Sequence, residues 1–239
     1  MVNDRQSLDL TTFALPSGGG TVEWRISDHP VPYPDSLAEM DARVAGIAAG
    51  SAPELVWLLE HPSLYTSGTS GRADDLLDPR FPTFQSGRGG QVTYHGPGQL
   101  MIYPLLDLRR NRLGVRDLVV ALEESIIAYA AELGILAVGR RDAPGVYVDG
   151  AKLASIGLRI RRGASYHGLA LNVALDLEPF QRINVCGYPG LRVTRLADLC
   201  GVSDLAAVAA GIEPHLLHKL GYAAAHKAIS TAAQAVSSR

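Results

Sequence analysis

The fold class is decided by residues 146–175, VYVDGAKLASIGLRIRRGASYHGLALNVAL. This stretch contains three short apolar segments that are typical of β-strands, at 146–148, 153–161 and 166–175. Asp149 and Gly150 form a strong hairpin signal between the first two segments, and residues 162–164 supply a turn between the second and third. Strands joined by consecutive hairpins run antiparallel, so this stretch favours a mixed sheet over a regular βαβ alternation.

Patterns outside this stretch add helices to the sheet. Helices are predicted at four places, 36–49, 115–133, 204–220 and 222–236. In the first of them, Ser36 and Glu39 have the spacing of a capping box, and Gly50 follows the end. Further strands are predicted at 21–27, 55–60, 92–94 and 100–105. The predicted fold class is therefore α+β, with a mixed β-sheet core and flanking helices.

The length of the chain indicates how it is divided. At 239 residues it is one large domain or at most two small ones. The sequence shows no clear boundary between two domains. We therefore predict an N-terminal segment at 1–20 and a single domain at 21–239, within which residues 195–239 are a candidate helical subdomain.

Composition and charge exclude several classes of function. Hydrophobic residues make up 47% of the chain and the formal net charge is −2, which is typical of a globular protein and argues against a nucleic acid partner. Cys186 and Cys200 are too few for a disulfide framework or a four-thiolate zinc site, so we expect no metal and a reducing compartment. The N-terminus has Asp4 and Asp9 but no apolar run, and no run is long enough to span a membrane. These features predict a cytoplasmic protein without a membrane partner.

The glycine-rich segment 86–100, SGRGGQVTYHGPGQL, is the first candidate binding element. Such a density of glycine marks close approach of the backbone to a ligand or a neighbouring chain. The functional interpretation is a pocket wall on which Arg88 or His95 makes a polar contact. The alternative interpretation is two tight turns around a short strand. The segment does not fit the GxGxxG pattern, because Val92 occupies the position of the last glycine, and the chain has no Walker A motif.

Lys152 and Cys186 are the candidate reactive residues. Lys152 follows the predicted turn at 149–150 among small and apolar residues, so it either points to solvent or projects into a cleft as a cation that transfers protons. Cys186 lies in RINVCGYPG, residues 182–190, whose glycines and proline indicate a loop. A lone cysteine is usually a small buried hydrophobe, but a loop setting favours a reactive thiol. Cys200 lies among apolar residues and is predicted to be buried in the core.

Four motifs taken together resemble those of a known family. They are RGGQVTYHGPGQL (88–100), GAKLASIGLRI (150–160), YHGLALNV (166–173) and INVCGYPG (183–190). In this order they resemble the lipoyl(octanoyl) transferases of lipoate biosynthesis, which belong to the biotin/lipoate protein ligase-like family. The likeness covers about residues 60–199. The chain departs from the family at Val185, where many members have proline, and this change is expected to loosen the loop.

The resemblance implies an activity and a set of site residues. The family transfers an octanoyl group from octanoyl-acyl carrier protein to a lysine of a lipoyl domain, without a cofactor, as the first step of endogenous protein lipoylation. Cys186 is implied to carry the acyl group as a thioester, and Lys152 to be the basic partner that lowers the pKa of this cysteine. The implied substrate-binding residues are Arg88, Gly89, Gly90, Gln91, Val92, Thr93, Tyr94, His95, Ser155, Ile156, Gly157, Gly168, Leu169 and Ala170. We further expect the backbone N–H of Gly187 to bind the oxyanion.

The implied partners and the competing functions follow from the same resemblance. The acceptors are lipoyl domains of 2-oxoacid dehydrogenase complexes and the H protein of glycine cleavage. The arginines occur in clusters that form either a solvated surface or a docking surface for the acidic carrier protein, namely Arg109, Arg110, Arg112, Arg116, Arg140, Arg141, Arg159, Arg161 and Arg162. We take Arg159, Arg161 and Arg162 as the candidate docking patch to be tested by neutralisation. One alternative function is an ATP-dependent lipoate or biotin protein ligase, which shares the fold but needs no thiol at position 186. The other is a non-catalytic acyl-carrier-binding module, which predicts an unreactive Cys186.

Overall fold

A large mixed sheet and a small second sheet organise the protein, whose computed structural model describes residues 20–230. The strands are, in chain order, β1 (Thr21–Ser27), β2 (Leu55–Leu59), β3 (Leu64–Ser67), β4 (Thr83–Gln85), β5 (Val92–His95), β6 (Gln99–Leu105), β7 (Val138–Gly139), β8 (Gly145–Val148), β9 (Ala151–Arg161), β10 (Ala164–Asn172) and β11 (Ala224–Ser230). The large sheet has the order β11-β1-β2-β6-β10-β9-β8-β7, and the small sheet has the order β4-β3-β5. β1 is parallel to β11 and β2, and the other pairs of the large sheet are antiparallel. The predicted mixed sheet is therefore confirmed.

The described α-helices cover both faces of the large sheet. They are α1 (Tyr33–Ala49), α2 (Val115–Glu132), α3 (Leu196–Cys200) and α4 (Leu205–Leu220). Side chains alternate along β2, so that Val56 and Leu58 join the apolar cluster under α2 and α4, whereas Trp57 joins the cluster under α1. No helix of the described part of the chain is long and apolar enough to cross a membrane.

The two predicted hairpins are confirmed and build the centre of the site. Asp149 and Gly150 have φ values of 47° and 76°, and Arg162 and Gly163 have 54° and 87°. Left-handed backbone at both central residues is what a two-residue hairpin turn requires. These turns set β8, β9 and β10 side by side, which places the residues of 150–173 on neighbouring strands.

The helix predicted at 222–236 is wrong for its described part. Residues Ala224–Ser230 form β11, which pairs in parallel with the whole of β1. Gly221 ends α4 in a left-handed conformation, so the helix does not continue into the alanine-rich segment. The free edge of β1 then offers unpaired backbone groups, and pairing with them overrides the helix propensity of alanine. Residues 231–236 lie outside the described residues.

The start of α1 also differs from the prediction. The helix begins at Tyr33, directly after Pro32, and has Pro34 within its first turn. The fixed φ of proline suits the first turn of a helix, so these prolines set the start instead of the expected capping box at Ser36. The Ser36 hydroxyl donates a hydrogen bond to the Tyr33 carbonyl oxygen at 2.8 Å. The predicted C-terminal signal is confirmed, because Gly50 adopts φ 71° and ends the helix.

The C-terminal elements pack onto the large sheet. Leu196 of α3 and Val208, Ile212 and Leu216 of α4 are buried in the same apolar cluster as the sheet residues beneath them. β11 is hydrogen-bonded to β1 at the edge of that sheet. A single domain at 21–239 stays a prediction, and these contacts support it over a separate subdomain at 195–239.

Candidate active site

Lys152 and Cys186 are in direct contact, although 33 residues separate them in the sequence. The Lys152 ammonium Nζ donates to the Cys186 sulfur Sγ at 2.9 Å. Lys152 lies near the start of β9 and is only 2% exposed, so the interpretation that it points to solvent is wrong. The structure therefore brings together a thiol and a proton-carrying amine, a pairing that covalent catalysis uses.

The returning chain after Cys186 fixes this contact. The Lys152 backbone N–H donates to the Arg192 carbonyl oxygen at 2.8 Å, and the Thr194 N–H donates to the Lys152 carbonyl oxygen at 3.0 Å. The Asn172 side chain donates to the Thr194 carbonyl oxygen at 2.9 Å from the neighbouring strand β10. These bonds extend the sheet beside Lys152 and hold the cysteine loop over it.

Cys186 itself has an uncommon backbone conformation. It sits in a single 3₁₀ turn, Val185–Gly187, with φ 54° and ψ 26°. Residues other than glycine rarely adopt this left-handed backbone conformation, and those that do are often found at functional sites. Val185 is 3% exposed and packs in the apolar cluster of the small sheet. This burial anchors the turn.

The surroundings of Lys152 favour its charged form. The ammonium lies 5.3 Å from the centre of the Tyr147 ring, on β8. A Cβ atom at Gly145 would lie 2.9 Å from Lys152 Cε, so only glycine leaves room for the lysine side chain. Burial acts to lower the pKa of Lys152, but attraction to the Cys186 sulfur and the Tyr147 hydroxyl outweighs burial and raises the pKa. Lys152 is thus an ammonium group at neutral pH.

Two cavities meet at Cys186, and we call them the inner and the outer cavity. The inner cavity comprises about 490 Å³ of space, part of which is open to solvent. The predicted residues that line it are Arg88, Gly90, Gln91, Val92, Thr93, His95, Ser155, Ile156, Gly157, Gly168, Leu169 and Ala170. The outer cavity, of about 520 Å³, is lined by Ser70, Gly90, Gln91, Asp142, Ala143, Pro144, Lys152, Ile156, Cys186 and Tyr188. A thiol at this junction is accessible from both sides.

Two predicted substrate-binding residues do not line either cavity. Tyr94 lies on the opposite face of β5, in the apolar cluster of the small sheet, and its hydroxyl is 3.0 Å from the Ser63 hydroxyl. Gly89 donates its N–H to the Leu158 carbonyl oxygen at 2.8 Å and so ties the glycine-rich loop to β9. Because side chains alternate along a strand, Thr93 and His95 face the inner cavity when Tyr94 faces away.

Arg88 is buried without a carboxylate among its hydrogen-bond partners. Its guanidinium donates to the Thr66 hydroxyl at 2.7 Å and to the carbonyl oxygens of Thr66 and Gln91 at 2.8 Å each. Burial lowers the pKa of Arg88, yet arginine stays charged in proteins. Arg88 therefore fixes the glycine-rich loop by its hydrogen bonds and places a positive charge at the wall of the inner cavity.

Sequence reasoning missed an aromatic and histidine network below the inner cavity. Tyr33, Tyr103 and His167 line this cavity, and His61 Nε2 lies 2.8 Å from the Tyr103 hydroxyl. His167, on β10, has φ 62°. Burial is the main cause that lowers the pKa of His61 to about 4 and that of His167 to about 3, so both rings are neutral at neutral pH. The motif YHGLALNV contains His167 and is the one signal that marked part of this network.

The structure corrects two further expectations and bears on a third, the candidate docking patch. The Gly187 N–H already donates to the Asn184 carbonyl oxygen at 2.9 Å, so it is not directed at a substrate oxyanion. Cys200 is exposed rather than buried, because it occupies the outward face at the end of α3. Of the three arginines in the candidate docking patch, Arg161 forms an ion pair with Asp41.

Comparison with known proteins places the chain in a family. A family model for the lipoyl protein ligase A/B catalytic domain matches residues 32–215. The chain belongs to this family. An octanoyltransferase of Bradyrhizobium diazoefficiens is 56% identical to it over 207 residues, which are 82% of this chain and 83% of that protein. An octanoyltransferase of Alkalilimnicola ehrlichii is 62% identical over 148 residues, which are 62% of this chain and 69% of that protein.

Solved structures of the lipoyl protein ligase A/B family share the fold. A lipoate-protein ligase A bound with ATP matches with a TM-score of 0.67 at 15% identity, over 88% of this chain and 90% of that one. A putative lipoate protein ligase from T. acidophilum with bound lipoic acid matches with a TM-score of 0.66 at 14% identity, over 89% and 91% of the two chains. The expected ligase-like fold is thus confirmed.

Proposed function

We propose that this protein transfers an octanoyl group to a lysine of a lipoyl domain through a thioester on Cys186. The observation that carries this proposal is the 2.9 Å contact between Lys152 Nζ and Cys186 Sγ at the junction of two cavities. The names of the relatives in the same family, octanoyltransferase, agree with this chemistry. The donor in the proposal is octanoyl-acyl carrier protein.

The first half-reaction acylates the cysteine. The positive charge of Lys152 favours the thiolate of Cys186, which attacks the thioester carbonyl of the donor. A carbon–sulfur bond to Cys186 forms, the bond to the carrier sulfur breaks, and the carrier leaves as a thiol after taking a proton from Lys152. One thioester replaces another, so the step is close to isoenergetic.

The second half-reaction forms the amide. The acceptor lysine attacks the thioester carbonyl as a neutral amine, its nitrogen loses a proton to Lys152, and the Cys186 sulfur leaves. Conversion of a thioester to an amide is downhill, so this route consumes no ATP. Lys152 therefore serves as proton donor in the first half and proton acceptor in the second.

The inner cavity suits the acyl chain and the outer cavity suits the arm that carries it. Met101, Ile156 and Leu169 give the inner cavity apolar walls, and each buried methylene of an octanoyl chain contributes roughly 0.8 kcal/mol. The outer cavity contains Lys152 and Cys186 and has the exposed Tyr188 at its rim. It offers a path to the sulfur for the thioester arm of the donor and then for the acceptor lysine.

The proposed partners are an acidic carrier protein and lipoyl domains of 2-oxoacid dehydrogenase complexes and glycine cleavage H protein. Arg159 and Arg162 are exposed and lie toward the end of β9 away from Lys152. They are the candidate docking residues for the carrier. Replacing both by Gln is expected to raise KM for the carrier protein and to flatten its salt dependence. An unchanged KM would assign these arginines to the solvated surface.

A donor exchange experiment tests the proposed function against a ligase. The purified protein is given a lipoyl domain with either octanoyl-acyl carrier protein alone or octanoate, ATP and Mg²⁺, and octanoylation of the domain is followed by mass. Transfer from the carrier alone supports the proposal. Transfer that needs ATP and free octanoate would establish the ligase, and no transfer from either donor would favour a non-catalytic module.

A further inference from the structure

A tetrahedral intermediate on Cys186 requires hydrogen-bond donors for its oxygen. Both half-reactions of the proposed function place negative charge on the acyl carbonyl oxygen, and enzymes stabilise such an oxyanion with preorganised donors. The two N–H groups that follow Cys186 are already used, because the Gly187 N–H donates to the Asn184 carbonyl oxygen and the Tyr188 N–H to the Val185 carbonyl oxygen. A side chain next to the turn is therefore the place to look for a further donor.

The side-chain amide of Gln91 lies against the cysteine turn. A Cβ atom at Gly187 would collide with this amide, because it would lie 2.7 Å from Gln91 Nε2 and nearer still to Gln91 Oε1. Gln91 directly precedes β5, and side chains alternate along a strand, so it shares the face of Thr93 and His95 that lines the inner cavity. Gln91 is also among the few residues that line both cavities, as is Cys186.

The Gln91 amide has hydrogen-bonding capacity that no described residue uses. Its oxygen Oε1 is buried and has no hydrogen-bond partner among residues 20–230. Buried polar groups are satisfied in nearly all native structures, so an unpartnered amide in a cavity points to a bound polar group. The amide oxygen and nitrogen exchange places by rotation about the Cγ–Cδ bond, so the unpartnered position is able to hold either the oxygen or the NH₂.

The backbone of Gln91 is held in place by two hydrogen bonds. The Gln91 carbonyl oxygen accepts hydrogen bonds from the buried Arg88 guanidinium at 2.8 Å and from the Gly68 N–H at 3.2 Å. Thr93, whose hydroxyl is also buried without a partner among the described residues, lines only the inner cavity. Gln91 is therefore better placed than Thr93 to reach a carbonyl group at the junction.

We infer that the Gln91 side-chain NH₂ donates a hydrogen bond to the carbonyl oxygen of the octanoyl group in both tetrahedral intermediates. This inference rests on the proposed function, and it makes Gln91 a catalytic residue in addition to a lining residue. The same NH₂ acts twice, because the acyl carbonyl stays at the junction while the thiol leaves and the amine arrives.

An aldehyde inhibitor tests the inference apart from turnover. The Cys186 sulfur adds to the carbonyl carbon of octanal, and the carbonyl oxygen takes a proton, which gives a hemithioacetal with its oxygen at the oxyanion position. The affinities of octanal and of octanol, which has no electrophilic carbonyl, are measured for the wild type, Gln91→Met and Gln181→Met. Gln181 is exposed on the far side of the cysteine loop and serves as the matched control. Rates of acylation and deacylation are measured on the same proteins.

We expect Gln91→Met to lose affinity for octanal but not for octanol. Octanal affinity and the rates of both half-reactions fall by about 100-fold, whereas octanol affinity and the rate of Cys186 alkylation by iodoacetamide are unchanged. Gln91→Glu, which keeps the shape of the side chain, repeats the loss of octanal binding. Unchanged octanal affinity in Gln91→Met would overturn the inference, and so would an equal loss of octanol affinity. If the wild type binds octanal but forms no acyl-enzyme from the carrier, the proposed function fails for a separate reason.

Discussion

The Lys152 ammonium lies 2.9 Å from the Cys186 sulfur, and two antiparallel hairpins together with the returning chain at 192–194 hold it there. Lys152 is buried, and its contacts with Cys186 and Tyr147 raise its pKa. A buried cation next to a thiol stabilises the thiolate at neutral pH. This relationship explains how one lysine serves a cysteine nucleophile in the first half of the proposed reaction and an amine in the second.

Removing the charge of Lys152 is expected to slow alkylation of Cys186. In Lys152→Met the rate of reaction with iodoacetamide at neutral pH falls, because the cation beside the sulfur is gone and a nearby positive charge makes a thiol more reactive. Labelling followed by intact mass measures this rate. Lys227→Met, at a largely exposed lysine that pairs with Glu213, is the control. An unchanged rate in Lys152→Met would show that the two groups are not coupled.

Gly187→Ala is expected to separate activity from stability. The φ of 70° costs an alanine about 1 kcal/mol, and its Cβ also displaces the Gln91 amide. Gly190→Ala has the same backbone strain, with φ 75°, but no atom lies within 4 Å of its Cβ. Urea unfolding should show a loss of stability in both variants, larger in Gly187→Ala because its Cβ displaces the amide, whereas only Gly187→Ala should lose octanoyl transfer. Equal transfer rates in the two variants would contradict the placement of Gln91 beside the reacting carbonyl.

Ala170→Leu is expected to change the preferred acyl length. Ala170 is 4% exposed on β10 and lines the inner cavity, so a larger side chain takes space from the acyl chain. Two methylenes contribute about 1.6 kcal/mol, which is about 15-fold in kcat/KM between octanoyl and hexanoyl donors. We expect this preference to fall by about 10-fold, with Ala210→Leu on the exposed face of α4 as the control. An unchanged preference would show that the acyl chain does not lie against Ala170 in the inner cavity.

The buried histidines are expected to make the protein less stable in mild acid. His167 has a pKa of about 3 when folded and 6.5 as its usual value, so below pH 6.5 the unfolded state binds a proton that the folded state does not. The free energy of unfolding therefore falls as the pH falls, by about 1.4 kcal/mol per pH unit for each such histidine. Urea unfolding at several pH values between about 4 and 6.5 measures the slope. In His167→Asn, where asparagine tolerates the positive φ, the slope of the unfolding free energy against pH should fall by about 1.4 kcal/mol per pH unit. A slope equal to that of the wild type would argue against a neutral His167.

The sequence predicts the local parts of this fold well. The Asp149-Gly150 turn requires a left-handed backbone that these residues adopt readily, and the structure has a hairpin there. The segment at 224–230 was not predictable in the same way. Its alanines favour a helix, and only pairing with β1, about 200 residues earlier in the chain, makes it a strand.

The contact between Lys152 and Cys186 has no local signal in the sequence. The resemblance to a known family pointed to both residues, whereas composition and spacing left Lys152 between solvent and a cleft. Cys200 shows the converse, because apolar neighbours suggested burial and the residue is exposed at the end of α3. Which face of a short helix turns outward depends on tertiary packing, and the pattern of five residues does not determine it.

Intact mass measurement tests whether Cys186 carries the octanoyl group. The protein is incubated with octanoyl-acyl carrier protein in the absence of acceptor, next to Cys186→Ala and Cys200→Ala, the latter removing the exposed second thiol. We expect one added octanoyl group on the wild type and on Cys200→Ala, which neutral hydroxylamine releases and which a lipoyl domain accepts. An adduct that persists in Cys186→Ala, or no adduct on a wild type that transfers octanoyl to the acceptor, would contradict a thioester on Cys186.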